Sequence, residues 1–142
     1  MRPGIREIAP GLFQSALVHA SNETVISASV DVTVLMAALV EPPPSTPRFV
    51  YFPIDDNAAG SPQFEEVRAL AASVATSRVL SLCHMGENRS GLLSALILVE
   101  RGVPPALAVA VVQNRGPVNS SGQTHSFWNP GFVAQVLSLG SR

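Results

Sequence analysis

The sequence predicts an α/β fold, with one domain over residues 1–142 built on a central, mostly parallel twisted sheet flanked by helices. Three observations carry this. Short runs that are β-branched or continuously apolar alternate with longer segments whose apolar residues recur at helical spacing. The second half then reads as several helices in succession. The length of 142 residues, with 46% hydrophobic and 13% charged, suits one well-filled core and argues against disorder.

Taken in order, Ile5–Ala16 holds a Pro-Gly turn and a short apolar run, which predicts an edge strand or hairpin. Asn22–Ser29 has room for one or two helical turns. Val32–Val40 (VTVLMAALV) opens β-branched and reads as a buried strand. The proline-rich patch Pro42–Pro47 is a stiff connector to the next strand, Phe49–Ile54 (FVYFPI), which ends in the acidic turn Asp55-Asp56-Asn57. Ser61-Pro62 opens a helix with proline at its first position, and Phe64, Val67, Leu70, Ala71 and Val74 follow at helical spacing. Arg78–Leu82 (RVLSL) is a short buried strand. Cys83–Ser90 (CHMGENRS) is a polar, glycine-containing loop, so that a loop able to bind phosphate lies between the last core strand and a buried helix, Gly91–Glu100, stopped near Gly102. A further helix spans Pro104 to about Asn114. The polar loop Arg115–Phe127 leads to a last helix starting near Asn129-Pro130.

Composition narrows the function classes. The formal net charge is −1 and no basic stripe or lysine-arginine block occurs, which leaves a nucleic-acid or anionic-membrane surface unsupported. The N-terminal MRPGIREIAPG lacks the apolar core of a secretory signal, and the longest apolar stretches, Leu92–Val99 and Ala106–Val112, are too short to span a bilayer. The single cysteine excludes an internal disulfide and fits a reducing, cytoplasmic setting.

The chemistry concentrates in CHMGENRS. In open α/β sheets ligands bind beyond the carboxyl ends of the strands, which is where this loop falls. A strand, a tight loop and a helix N-terminus together hold an anion well, through backbone N–H groups and the helix dipole. Gly86 lets the backbone turn, and Arg89 can grip two phosphate oxygens through its planar fork. Cys83 at the base of the loop faces both the helix dipole and Arg89, which favour the nucleophilic thiolate. Ser90 is placed to donate a hydrogen bond to that thiolate and help it leave. A lone cysteine at a strand end is most often a small buried hydrophobe. Here the glycine, the following serine, the preceding strand and the apolar helix behind all agree with a phosphate loop.

The segment LCHMGENRSG resembles the signature loop of the cysteine-based protein phosphatases, most closely the small dual-specificity type, which carries Cys, five residues, Arg, then Ser or Thr. Ile8-Ala9-Pro10-Gly11-Leu12-Phe13 is similar to that family's opening strand, Phe52-Pro53-Ile54-Asp55-Asp56 to its general-acid segment, and Asn129-Pro130-Gly131-Phe132-Val133-Ala134-Gln135 to its closing helix. The resemblance implies phosphomonoester hydrolysis in two steps on a protein-tyrosine or dual-specificity substrate. Cys83 attacks phosphorus, while Arg89 and the loop residues His84, Met85, Gly86, Glu87 and Asn88 hold the phosphate. Asp56, preferred to Asp55 by the family's strand-then-Asp pattern, protonates the leaving oxygen, and Ser90 stabilises the departing thiolate. No cofactor and no metal are called for. The expected partner is a phosphorylated protein or a small phosphomonoester, and a monomer is favoured.

One departure stands out. The family usually has His before the nucleophile, where it supports the loop by hydrogen bonding, and this chain has Leu82. A phosphate-recognising binding module without turnover therefore stays open as the alternative. A rhodanese-like sulfur carrier also uses one loop cysteine, but the Arg89-Ser90 pair argues against it. The loop lacks lysine and carries Glu87, which disfavours multiply phosphorylated inositol. Glu87 and Asn88 equally fit a solvent-facing loop apex. His84 lines the loop without buttressing it. Phe127-Trp128 fits core packing better than an aromatic wall by the substrate. Arg115 suits a C-terminal helix cap, His19 and His125 lack metal-ligand spacing, and the resemblance offers Gln123 for holding the hydrolytic water.

Overall fold

The computed structural model describes residues 5–17, 29–38, 46–118 and 125–141. The expectations placed on 22–28, on 39–45, on His19 and on Gln123 lie outside them.

The Pro-Gly turn joins β1 (Arg6–Ala9) antiparallel to β2 (Leu12–Ala16). β2 then pairs in parallel with β5 (Val79–Cys83), β5 with β3 (Val32–Leu35), and β3 with β4 (Arg48–Tyr51). The strand order β1-β2-β5-β3-β4 is the mostly parallel sheet expected. Only β1 runs against the rest, because a two-residue turn can join antiparallel strands alone. All residues of β2, β3 and β5 are buried, as befits the inner strands of a parallel sheet, whereas β4 is a largely exposed edge. The hairpin thus supplies an inner strand as well as an edge.

The helices are α1 (Phe64–Val74), α2 (Arg89–Glu100), α3 (Pro105–Arg115) and α4 (Pro130–Ser138), with a 3-10 turn at Leu139–Ser141. Among the described residues α2 is the hub: it lies against β2 and β5, and the other three described helices pack around it. Its sequence makes this possible, since leucine, isoleucine and alanine cover every side and Ser90 to Leu98 are all buried. Among the described residues no helix is long and apolar enough to cross a membrane.

Several boundaries differ from the sequence expectation, most by a residue at an end; β5, for one, runs Val79–Cys83 and not Arg78–Leu82. β3 ends at Leu35 and not at Val40, and β4 ends at Tyr51, because Pro53 has no N–H to continue the ladder. The backbone nonetheless stays tied across it, Phe52 N donating to Leu35 O at 2.9 Å and Ile54 N to Met36 O at 3.1 Å. α1 starts at Phe64, since Ser61 forms a turn of its own with Oγ accepting from Gln63 N. α2 starts two residues earlier than Gly91, so Arg89 and Ser90 occupy its first turn.

Arg101 closes the far end of α2. Its Nε donates to Ala75 O at 2.7 Å, Nη1 to Pro10 O at 2.9 Å and Nη2 to Ser77 O at 3.2 Å. These carbonyls belong to the end of α1, the β1–β2 turn and the entry to β5. Burial lowers the guanidinium from its ordinary value, a cost set against three charge-assisted bonds.

Candidate active site

Cys83 is the last residue of β5, pairs with Ala16 of β2, and is 1% exposed. Its sulfur lies 3.2 Å from Ser90 Oγ in the first turn of α2. Ser81 Oγ on the same strand donates to Ser90 O at 2.9 Å, which fixes the backbone carrying that hydroxyl. Between them the loop folds down onto β2. Gly86 has φ +75°, and a Cβ there would fall on the backbone of Ser15 and Ala16, so this position takes glycine on two grounds. Buried Gln14 of β2 donates from Nε2 to Gly86 O at 2.7 Å.

This seating corrects two expectations. Glu87 and Asn88 are 1% and 3% exposed and do not face solvent; Met85 is the exposed loop residue. His84 turns away, its Nε2 lying 2.7 Å from Ala38 O beyond β3, because the loop's descent onto β2 leaves the imidazole beside that segment. Arg89 is half-buried, its Nε is buried without a partner, and it makes no hydrogen bond or ion pair among the described residues. It sits at the N-terminus of α2, where the helix dipole adds positive potential.

Asp56 follows β4 in an exposed turn, yet both carboxylate oxygens are held. Oδ1 accepts from Asn129 Nδ2 at 2.7 Å, and Oδ2 from Asn88 Nδ2 at 3.2 Å. Asn88 in turn accepts on Oδ1 from Trp128 N at 2.9 Å and Asn129 N at 2.8 Å. Asn129 is the N-cap of α4, with Oδ1 accepting from Phe132 N at 3.1 Å. The neighbouring Asp55 is exposed and carries no side-chain bond among the described residues. Gly131 lets α4 close against the Ala58–Gly60 backbone, and Gln135 bonds both N and O of Ser61, so the acid segment is docked at several points.

The pair Phe127-Trp128 divides. Phe127 is fully buried with φ 56°, a left-handed conformation that costs a non-glycine residue about 1–3 kcal/mol, while Trp128 stays partly exposed. Arg115 lies in the last turn of α3, as expected, and its Nη1 donates to Ile8 O of β1 at 3.4 Å. His125 is a half-buried loop residue bonded to Ser126 O, and among the described residues no cluster of His, Cys, Asp or Glu forms a metal site. Sequence reasoning missed Gln14, Ser81 and Asn129. Asn before Pro at a helix start is a readable cap signal; a glutamine inside a β run signals only that something polar awaits it.

No protein-family model matches the chain, and no curated protein matches it in sequence. Solved structures do. Human DUSP28 is 25% identical, with a TM-score of 0.75 over 99% of this chain and 95% of that one. Tk-PTP, solved in its active form, is 18% identical with a TM-score of 0.69 over 100% of this chain and 99% of that one. OH1 of the Orf virus, a tyrosine phosphatase, is 14% identical with a TM-score of 0.64 over 98% and 87%. At such identities the last two show the fold.

Proposed function

We propose that this chain, which shares its fold with the dual-specificity phosphatase human DUSP28, is a small cysteine-based phosphatase that hydrolyses phosphomonoesters through a phosphocysteine on Cys83. The observation that carries the reading is Arg89: a cation at a helix N-terminus, six residues beyond the buried nucleophile, whose Nε is buried with nothing to bond. A phosphoryl oxygen supplies the missing acceptor.

In the first step the Cys83 sulfur forms a bond to phosphorus as the ester oxygen departs, taking a proton from the Asp56 carboxyl group. Arg89 and the loop N–H groups of His84 to Asn88 meet the charge on the equatorial oxygens. In the second step water attacks the phosphocysteine, passes a proton to Asp56, and the sulfur leaves as thiolate toward Ser90 Oγ. Gln14 and Ser81 support the loop from below where Leu82 brings no polar group. Substrates of this reading are phosphotyrosyl or other phosphorylated proteins and small phosphomonoesters, met by a monomer. It carries with it a reducing, cytoplasmic setting, supported by a nucleophile that must remain a thiol.

The test is release of phosphate from 4-nitrophenyl phosphate and phosphotyrosine peptides by the wild type and Cys83→Ser. Turnover in the wild type that disappears in the variant is expected. Phosphate release that survives Cys83→Ser would overturn the assignment of the nucleophile, and none from the wild type would overturn the hydrolase reading.

A further inference from the structure

Resting on that reading, we infer that Asn88 positions the Asp56 carboxyl group for proton transfer and so couples the phosphate loop to the acid segment. The side chain has two ends with different tasks. Oδ1 accepts the backbone N–H groups of Trp128 and Asn129, at 2.9 and 2.8 Å. That fixes which end is which, because a flipped amide would set its NH2 group against two N–H donors. Nδ2 is thereby aimed at Asp56 Oδ2, at 3.2 Å.

A second amide completes the grip. Asn129 is oriented the same way by its cap on Phe132 N, and its Nδ2 lies 2.7 Å from Asp56 Oδ1. Two donors on two oxygens fix the plane of the carboxyl group, which a single bond would leave free to rotate. The holders are 3% and 2% exposed, whereas Asp56 is exposed and can trade its proton with substrate and water. Asn88 stands immediately before Arg89, so movement of the phosphate-gripping loop and movement of the acid share one side chain. General acids contribute about 10²–10⁴-fold, and a misplacement of about 1 Å can forfeit a hundredfold of such terms.

Asn88→Asp separates positioning from mere support. It keeps an oxygen for the Trp128 and Asn129 N–H groups but puts an oxygen where Asp56 needs a donor. The readout is the ratio of kcat/KM for phenyl phosphate, whose leaving group needs a proton, to that for 2,4-dinitrophenyl phosphate, whose leaving group does not. The ratio is expected to fall about tenfold or more in Asn88→Asp, and further in Asp56→Asn. If Asp56→Asn lowers the ratio and Asn88→Asp leaves it at the wild-type value, the inference is overturned while the phosphatase reading stands. A wild type inactive on both esters overturns both. Should Asn88→Asp fail to fold, Asn88→Ser, which withdraws the amide without adding charge, gives the same ratio.

Discussion

Ser90 Oγ lies 3.2 Å from the sulfur of Cys83, with both atoms buried at the junction of β5 and α2. Either atom can donate in this pair, and in the proposed reaction the hydroxyl donates to the departing sulfur. Its effect belongs to the step in which sulfur leaves. Ser90→Ala should slow breakdown of the phosphocysteine by about 10–100-fold, from about 1.5–3 kcal/mol for a hydrogen bond to a charged group. Rapid-quench kinetics should then reveal a burst of leaving group before a slow steady state. A variant slowed equally in burst and steady state would place Ser90 in the first step.

Arg89→Lys keeps the charge and discards the fork. An ammonium offers a point charge where two phosphoryl oxygens call for parallel N–H groups. kcat with an aryl phosphate should fall by about 10²-fold or more, comparable to losing a preorganised donor elsewhere. Inhibition by vanadate should weaken with it. Steady-state kinetics with and without vanadate check both.

Gln14 presents opposed effects. Its Nε2 holds Gly86 O at 2.7 Å, but its Oε1 is buried without a partner. Gln14→Leu therefore loses a bond and sheds an unsatisfied acceptor, so stability in urea should change by no more than about 1 kcal/mol. The loop, untied from β2, should nonetheless bind vanadate several-fold more weakly. Vanadate affinity unchanged in a folded variant would mean that the glycine contact with β2 suffices to seat the loop.

Arg101 makes the contrasting case, since it touches nothing at the site. Replacing it by methionine removes three bonds that join the end of α1, the β1–β2 turn and the entry to β5. Thermal unfolding should show a loss of about 2–3 kcal/mol, with kcat/KM at low temperature within twofold of the wild type. A large loss of kcat/KM in the folded variant would link that distant corner to catalysis.

The fold and the nucleophile's loop were legible because both are written in contiguous residues. A β run, a glycine, an arginine and an apolar helix announce themselves within Arg78–Glu100. The proposed acid can be read from the sequence only through its place after a strand, and the choice of Asp56 rests on the family's pattern; its bonds to Asn88 and Asn129 span 32 and 73 residues and leave no local trace. The burial of Glu87 was hidden for a related reason. Charge suggests solvent, while the seating of the loop is decided by Gly86 against β2, a contact across 70 residues or so that no short pattern encodes. Pro53 is a different case: its missing N–H ends β4, a local rule that the apolar run around it obscures.

The all-round burial of α2 sets a timetable for losing the site. An amide proton between Leu92 and Leu98 meets water only when the core itself opens, so its exchange should report the global unfolding free energy. Asp56 stands on an exposed turn whose release costs a few hydrogen bonds. In the proposed reaction, anion grip and proton donation therefore rest on segments of different local stability. On warming, proton transfer should fail first, leaving a folded protein that still captures phosphate and turns over only esters with good leaving groups.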